Sequence, residues 1–460
     1  MWISEIEIGR SPKYRAIADA IAEAVNTGEL TPGSRLPPQR QLAWNLGVTV
    51  GTVGRAYDLA QQRGLVAGEV GRGTFIQIPV AERQPVLSPE RVGNLIDLSL
   101  NQPVGGPKRE VFAQTLRDIS SAPDLEDLMC YASPAGLPRH RAVAAAWVGR
   151  VGIEASAEQV TCFNGTQEAI AASILGLTRA GDPVLVEELT YVGFIGLIEH
   201  FNRRPVPVAM DNDGIRPEAL AEAARKSGAK LALLVPTLHN PTTSIMSEER
   251  RREVVATAHR HDLILIEDDV YGFLLEDQPT RLATLADNRV IYVSSASKCL
   301  VPGLRVGWAI CRNETIVERL KALAFSLHIA SPALTGEIVC RWIEEKLADE
   351  LVLWQRREIS ERYRLATDIF SGMRTTGHPN CLHLLLHLPE PWRALPFASE
   401  MRNRGVSLVP ASAFAVGQVA VPQAVRLTLG SLKDRETLRR ALELVRDVAL
   451  QQSAARQQLI

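Results

Sequence analysis

The sequence predicts a protein of the α/β class with a separate helical module at its N-terminus. Its 460 residues are too many for one ordinary hydrophobic core. From Ile96 onward, apolar runs of strand length alternate with longer amphipathic segments, whereas residues 1–76 carry short helical patterns that end in a glycine-rich segment. The apolar runs are nearly continuous, which indicates strands covered on both faces and therefore a mostly parallel sheet.

Three zones divide the chain. Residues 1–76 form the helical module, and residues 77–95 contain three prolines and little periodicity, which is typical of a linker. Residues 96–453 form the larger domain, with predicted strands at 160–163, 183–187, 231–236, 263–268 and 290–295. From about Pro332 helix patterns dominate, and two further strands near 381–388 and 424–429 predict a smaller C-terminal α+β subdomain.

Composition argues against several classes of protein. The 46% hydrophobic and 22% charged residues are typical of a soluble globular chain, and no apolar run is long enough to span a bilayer. Six scattered cysteines without a C-x-x-C pair argue against a disulfide framework or a structural zinc site, so no metal is expected. The N-terminus lacks the apolar stretch of a secretory signal. We therefore expect a cytoplasmic protein that does not bind membranes.

The N-terminal module has the pattern of a winged helix-turn-helix. One amphipathic helix is predicted from Tyr14 to Thr27, and a short one from Gln39 to Leu46. Gly47 supplies the turn, and Thr49 caps a further helix that runs to about Arg63. Two short helices around a tight glycine turn can place the second helix in a major groove. The segment LVAGEVGRGTFIQI that follows predicts two short strands, which make a wing.

Charge in the module suits a nucleic acid partner. Residues 31–76 contain five arginines against two acids, a net charge of +3, although the whole chain has a net charge of −1. Arginine makes forked contacts with phosphates and guanine edges. The alternative for any single arginine is an ordinary solvated surface charge.

The module resembles the winged-helix domain of the GntR family. The resemblance rests on Gly33 to Pro37, Gly47-Val48, Thr52-Val53 and Gly71 to Phe75. It implies binding to double-stranded DNA through Arg35, Arg40, Thr49, Thr52 and Arg72. One position departs from the family, because Val50 stands where a basic residue is common.

Polar residues follow the predicted strands of the larger domain. In an open α/β sheet, ligands bind beyond the carboxyl ends of the strands. The segments found there are Asn164 to Gln167 at a helix start, Asn240, Asp268 with Tyr271, Ser295 to Lys298, and Arg305. Together they supply a phosphate cradle, a carboxylate, neutral hydrogen-bonding groups, a lysine and an arginine.

This set matches the needs of pyridoxal 5'-phosphate. The cofactor requires a lysine amine for covalent attachment, a carboxylate beside its pyridine nitrogen, donors for its phosphate and an aromatic cover for its ring. Taken alone, Lys298 reads as a surface lysine and Asp268 as a helix cap. What favours the cofactor site is that all of these residues occur together, each after a predicted strand.

From Asp97 to about Val448 the chain resembles fold-type-I aminotransferases. The motifs are LSLNQP, YASPAG, NGTQEA, LTY, HNPT, EDDVYGF, SSASKCLVPGLRVGW and VRLTLG, in that family's order. The resemblance implies that Lys298 holds the cofactor covalently and that Asp268 pairs with its pyridine nitrogen. It also implies that Asn240 and Tyr271 bond the phenolic oxygen and that Tyr191 stacks on the ring.

The same resemblance assigns the phosphate and substrate contacts. The phosphate would be bound by Gly165, Thr166, Ser295 and Arg305, with Tyr131 reaching it from the partner subunit. Arg426 would pair with a substrate carboxylate, and Asn101 lies beside the substrate where many aminotransferases have glycine. The alternatives are a core tyrosine for Tyr191 and a structural ion pair for Arg426.

Together the two halves resemble the MocR subfamily of bacterial regulators. The resemblance implies a homodimer, head-to-tail, and two DNA half-sites related by its symmetry. Three hypotheses remain. The first is a regulator that uses pyridoxal phosphate at Lys298 to sense a small amino compound or the cofactor itself. The second is an active aminotransferase with an appended DNA-binding domain. The third is a regulator whose large domain is only a dimerisation scaffold.

Overall fold

The computed structural model describes residues 12–26, 29–30, 34–62, 65–69, 73–76, 95–286, 288–417 and 419–457. Arg72 and residues 77–94 of the predicted linker lie outside these ranges. The chain divides into two compact units.

The N-terminal unit contains three helices and a two-stranded antiparallel sheet among its described residues. They are α1 (Lys13–Asn26), α2 (Gln39–Leu46), α3 (Val50–Gln62), β1 (Val66–Glu69) and β2 (Gly73–Ile76). Gly47 ends α2 with a φ of 60°, a conformation that glycine adopts without strain. Ile17, Leu42 and Val53 are buried between the helices, as the apolar spacing of each segment predicts. This is the winged helix-turn-helix arrangement.

The larger unit alternates strands and helices through its described residues. Its strands are β3 (Ile96–Asp97), β4 (Val160–Phe163), β5 (Pro183–Glu187), β6 (Arg204–Val208), β7 (Met210–Asp211), β8 (Gly214–Ile215), β9 (Leu231–Leu234), β10 (Ile264–Asp268), β11 (Val290–Ser295), β12 (Gly307–Ile310), β13 (Thr375–Gly377), β14 (His383–His387), β15 (Val406–Ser407), β16 (Val409–Pro410) and β17 (Ala424–Thr428).

Helices alternate with these strands along the chain of the larger unit. They are α4 (Lys108–Ser120), α5 (Leu125–Leu128), α6 (Pro138–Gly149), α7 (Thr166–Leu177), α8 (Val192–His200), α9 (Pro217–Ser227), α10 (Glu248–Arg260), α11 (Leu282–Leu285), α12 (Glu314–His328), α13 (Ala333–Glu344), α14 (Leu347–Ile369), α15 (Ala394–Asn403) and α16 (Arg435–Gln457).

Seven of the described strands form the central sheet, in the order β4-β12-β11-β10-β9-β5-β6. Neighbouring strands are parallel except that β12 runs antiparallel to both β11 and β4. Every residue of β4, β9 and β11 is buried, which explains why their sequences are nearly continuous apolar runs. The predicted mostly parallel sheet is confirmed, and β12 is an addition that the apolar runs did not predict.

A smaller antiparallel sheet forms the C-terminal part of the unit, in the order β13-β14-β17-β16. The helices α14 and α16 pack against each other beside it. The predicted α+β subdomain therefore exists. Its two longer strands bring His383 and Arg426 into the buried interior, and the short strand β3 pairs with β15.

Two other kinds of feature are absent from the described part of the chain. Among the described helices, none is long and apolar enough to cross a membrane. The same described residues contain no group of three or more His, Cys, Asp or Glu side chains arranged to hold a metal ion.

Candidate functional site

The carboxyl ends of the central strands meet at one edge of the sheet. Asp268 ends β10 and Ser295 ends β11, and these strands are parallel neighbours. Gly165 follows β4, which points in the same direction because β12 reverses between β11 and β4. The topology therefore gathers residues that are more than a hundred positions apart in sequence.

Lys298 is half-buried and lies three residues after β11. Its Nζ atom donates a hydrogen bond to the main-chain oxygen of Asn101. Burial lowers the pKa of Lys298 to about 8, and Arg426 acts in the same direction whereas Asp268 opposes it. With this pKa the amine is uncharged in about a tenth of molecules at pH 7, and the uncharged form is the nucleophile.

Asp268 offers a buried carboxyl group that is 5% exposed. Its Oδ1 atom accepts a hydrogen bond of 3.2 Å from the main-chain nitrogen of Val270. Burial raises the pKa of Asp268 to about 7, because the buried carboxylate lacks the stabilisation that water gives to its charge. A cation bound beside Asp268 would stabilise the ionised carboxylate and lower this pKa again. The next carboxylate, Asp269, is already paired, because Nε of Arg281 donates to it at 2.7 Å.

Asn101, Tyr271 and His383 form a buried hydrogen-bonded group. Nδ2 of Asn101 donates to the Tyr271 hydroxyl at 2.8 Å and lies 3.1 Å from Nδ1 of His383. Burial raises the pKa of Tyr271 and lowers that of His383, so both side chains are uncharged near neutral pH.

Arg426 carries a buried cation on β17. Its Nη1 atom donates to Oδ1 of Asn240 at 3.0 Å, and Nη2 donates to the main-chain oxygen of Ser99. The guanidinium lies over the ring of Phe414, 4.9 Å from its centroid. Among the described residues, Nε of Arg426 has no hydrogen-bond partner although it is buried. Burial lowers the pKa of Arg426, which means that an anionic ligand would be stabilised here.

A cradle of donors surrounds the start of α7. Gly165 precedes the helix with a φ of 90°, and a Cβ atom there would lie 2.5 Å from Nη2 of Arg305. The positive φ favours glycine at this position. Nη2 of Arg305 donates to the main-chain oxygen of Asn164 at 2.9 Å, and Thr166 presents the free amide of a helix start. Such an arrangement binds phosphate.

Three further residues have distinct placements. Ser295 is fully buried, and its Oγ atom accepts from the main-chain nitrogen of Ser297 at 3.2 Å. Tyr191 is half-buried before α8, with its ring 5.3 Å from that of Phe194. Tyr131 is 86% exposed and does not join this buried group of its own chain.

These residues fit pyridoxal phosphate. They combine a lysine whose pKa is lowered, a buried carboxyl group whose pKa is raised, and a glycine cradle beside an arginine. The phenol of Tyr271 and the amide of Asn240 lie on the same edge. The unpaired Nε of Arg426 adds a donor for an anionic ligand.

Sequence reasoning missed several residues that shape the site. His383 and Phe414 contact Asn101 and Arg426 respectively, and neither belongs to a local motif. Glu187 ends β5 and accepts from the main-chain nitrogen of Val235 at 2.6 Å. The PVLVE run marked the end of that strand, so Glu187 could have been found there.

In the N-terminal unit, the residues predicted to contact DNA lie on the surface. Arg35, Arg40 and Thr49 are exposed, and Thr52 is half-buried. The Thr49 hydroxyl accepts from the main-chain nitrogen of Thr52 at 3.2 Å, so it caps α3. Val50 is 44% exposed at the first position of α3. Arg72 lies outside the described residues.

The chain matches two protein families. Residues 93–445 match the family described as aminotransferase class I and II. Residues 13–76 match the bacterial regulatory proteins of the gntR family.

Several individual proteins are also similar. "Uncharacterized HTH-type transcriptional regulator YdeF" of Bacillus subtilis (strain 168) is 29% identical, over 97% of this chain and 96% of its own length. "Uncharacterized HTH-type transcriptional regulator YdcR" of Escherichia coli (strain K12) is 26% identical, over 88% of this chain and 92% of its own length. The crystal structure of an archaeal alanine:glyoxylate aminotransferase has a TM-score of 0.72 at 24% identity, over 77% of this chain and 90% of its own. The two regulators extend across both units, whereas the solved structure supports the fold of the larger one.

Proposed function

The chain belongs to the aminotransferase class I and II family. Because residues 13–76 also match the gntR family of bacterial regulatory proteins, we propose that it is a DNA-binding transcription regulator. It holds pyridoxal phosphate at Lys298 and uses it to sense a small amino compound or the cofactor itself. The observation that carries this proposal is the joining of a gntR-family domain to a site that retains Lys298, Asp268 and Arg426.

Each residue of the site has a proposed task. Pyridoxal phosphate, when bound, reacts with primary amines and draws electrons from the carbon that bears them. Lys298 supplies the amine that holds the cofactor, and the carboxylate of Asp268 keeps a proton on the pyridine nitrogen. Asn240 and Tyr271 donate hydrogen bonds to the phenolic oxygen, and Tyr191 covers the ring.

The remaining contacts position the phosphate and the ligand. The phosphate is bound by Gly165, Thr166, Ser295 and Arg305, and Tyr131 completes the cradle from a second copy of the chain. The chain is therefore proposed to act as a head-to-tail homodimer. Arg426 binds the carboxylate of the sensed compound.

Loss of one lysine tests the cofactor assignment. We expect Lys298→Ala to abolish the absorbance band that the full-length protein gives with pyridoxal phosphate. The matched control is Lys108→Ala, because Lys108 is also half-buried and its pKa is also lowered to about 8. A band that survives Lys298→Ala would contradict the assignment, and we expect Lys108→Ala to keep the band.

Double-stranded DNA is the proposed macromolecular partner, bound through Arg35, Arg40, Thr49, Thr52 and Arg72. Because it acts on DNA, its proposed location is the cytoplasm. We expect Arg40→Ala to reduce the slope of log affinity against log salt concentration by about 0.9 for each phosphate that Arg40 binds. The control is Arg109→Ala, an exposed arginine of α4 in the larger unit. An unchanged slope in Arg40→Ala would show that this arginine binds no phosphate.

A second candidate function is an active aminotransferase with an appended DNA-binding domain. The observation that favours it is the unpaired, buried Nε atom of Arg426, which is suited to a substrate carboxylate. Many turnovers with an amino acid and a keto acid, at rates of about 1 per second or more, would support this candidate over the sensor. A single shift of the cofactor spectrum without turnover would support the sensor.

A further inference from the structure

An acceptor without a partner lies close to the amine of Lys298. Oδ1 of Asn101 receives no hydrogen bond from any described residue, although the side chain is only 8% exposed. A buried acceptor that stays unpaired destabilises the protein. A ligand that brings a hydrogen-bond donor to this oxygen removes that cost.

Neighbouring side chains contact the nitrogen of the Asn101 amide. Its Nδ2 atom is 2.8 Å from the Tyr271 hydroxyl and 3.1 Å from Nδ1 of His383, so each amide hydrogen has an acceptor when His383 carries its proton on Nε2. The neutral ring of His383 can accept at Nδ1. Since Tyr271 accepts from Asn101, its own hydroxyl hydrogen remains available for the phenolic oxygen of the cofactor. In this arrangement both amide hydrogens are used within the protein, and Oδ1 is the polar atom of the side chain left without a partner among the described residues.

The position of Asn101 also limits where the donor lies in the ligand. Its main-chain oxygen accepts from Nζ of Lys298, so the residue is next to the reacting amine. Ser99, two positions earlier in the chain, accepts from Nη2 of Arg426 through its main-chain oxygen. One short segment thus contacts both the reacting amine and the proposed carboxylate partner. The donor must therefore be close to the carbon that carries the amino group.

We infer that the site prefers α-amino acids whose side chain carries a hydrogen-bond donor near the α-carbon, such as a hydroxyl group, with Oδ1 of Asn101 as the acceptor. This inference rests on the proposed function, because it names the class of compound that the sensor takes. It goes further by giving Asn101 a selective task that a glycine at the same position cannot perform.

Matched amino acids test the preference. Dissociation constants are measured by spectral titration and by calorimetry of the full-length protein loaded with pyridoxal phosphate, for L-serine against L-alanine and for L-threonine against L-valine. We expect the hydroxyl member of each pair to bind about tenfold more tightly, since one hydrogen bond to a buried acceptor is worth about 1.4 kcal/mol. O-methyl-L-serine keeps the oxygen but lacks the donor, and we expect it to lose the advantage.

Two variants connect the preference to the residue. Asn101→Gly retains the main-chain oxygen that binds Lys298 but removes the amide, and we expect it to bring the ratio within each pair to about one. Gln102→Ala is the control, because it removes a half-buried amide at the next position, which donates to the main-chain oxygen of Ser431. We expect it to keep the tenfold ratio.

The possible outcomes separate this inference from the proposed function. Equal binding within each pair, with a normal cofactor band, would overturn the inference and leave the regulator proposal intact. Tighter binding of O-methyl-L-serine than of L-serine would also overturn it, because the amide would then present its nitrogen to the ligand. Absence of a cofactor band in the unaltered protein would remove the proposed function, and the inference with it.

Discussion

At the scale of single residues, two lysines illustrate why a lowered pKa does not by itself identify a cofactor site. Burial lowers the pKa of both Lys298 and Lys108 to about 8. Nζ of Lys108 donates to the main-chain oxygens of Val104 at 3.0 Å and Leu300 at 2.6 Å, so it links two segments of the chain. Lys298 has one such bond, to Asn101, and it is the lysine beside Asp268 and Arg426. Geometry therefore distinguishes the two amines.

The rate at which the cofactor-free protein captures pyridoxal phosphate should rise with pH, reach its midpoint near pH 8 and level off about one pH unit higher. Burial lowers the pKa of Lys298 from 10.5 to about 8, so the reactive neutral amine is fully present at a lower pH than in a free lysine. Absorbance after rapid mixing between about pH 6 and pH 10 measures this. A midpoint near pH 10 would contradict it, and Lys108→Ala should leave the midpoint unchanged.

The order of motifs sufficed to propose Lys298, Asp268 and Arg426, because each follows or lies within a recognisable strand. His383 could not be found in this way. It lies 282 positions from Asn101, on a strand whose sequence HLLLH carries no motif, and only the folded chain brings the two together. The unpaired oxygen of Asn101 was likewise invisible in the sequence, since it depends on how two other side chains orient the amide.

At the scale of single elements, α3 depends on a cap that is also a predicted DNA contact. The Thr49 hydroxyl accepts from the main-chain nitrogen of Thr52, and the two hydroxyl oxygens are 2.9 Å apart. The hydroxyl therefore holds the first turn of the helix before any DNA is present. Weaker DNA binding on changing Thr49 can arise from helix fraying, from the missing hydroxyl at the DNA surface, or from both.

We expect Thr49→Ala to lower the free energy of unfolding of the N-terminal unit by about 0.5–1 kcal/mol, because the main-chain nitrogen of Thr52 loses its side-chain acceptor and keeps only its 3.0 Å bond to the main-chain oxygen of Thr49. Thr49→Ser keeps the acceptor and should stay close to the unaltered protein. Thr52→Ala is the matched control, since it removes a hydroxyl but keeps the main-chain donor. Hydrogen exchange of the α3 amides measures the change, and equal protection in Thr49→Ala and Thr49→Ser would rule out the cap.

Elements with strong local patterns were predictable, whereas β12 was not. The runs at 160–163, 183–187 and 290–295 coincide with β4, β5 and β11, because a strand buried on both faces must be apolar throughout. Four residues, GWAI, make up β12, and they follow the turn that contains Arg305. Their place between β4 and β11 arises from pairing with strands that are distant in sequence, which no local pattern encodes.

At the scale of the whole molecule, sensing requires that ligand binding in the larger unit and DNA binding in the N-terminal unit are linked. Linkage between two binding equilibria is reciprocal, because both paths around the cycle have the same total free energy. A regulator of the proposed kind therefore has one coupling factor, whichever ligand is added first.

We expect a bound amino compound to change the affinity for DNA by about 5- to 150-fold, and DNA to change the affinity for that compound by the same factor. Titrations of the compound with and without DNA, and of DNA with and without the compound, give the two values at one salt concentration. A factor of one in both titrations would leave a DNA-binding protein that does not sense this compound. Unequal factors would mean that the two titrations do not report one equilibrium.

The exposure of Tyr131 has a consequence for dilute solutions. Tyr131 is 86% exposed in its own chain, and in the proposed homodimer it completes the phosphate cradle of the second copy. Under the proposed arrangement, dilution below the dimer dissociation constant removes one phosphate-binding side chain from every site at once. Retention of the cofactor then depends on the number of protein copies per cell, so the protein would report its own abundance as well as its ligand.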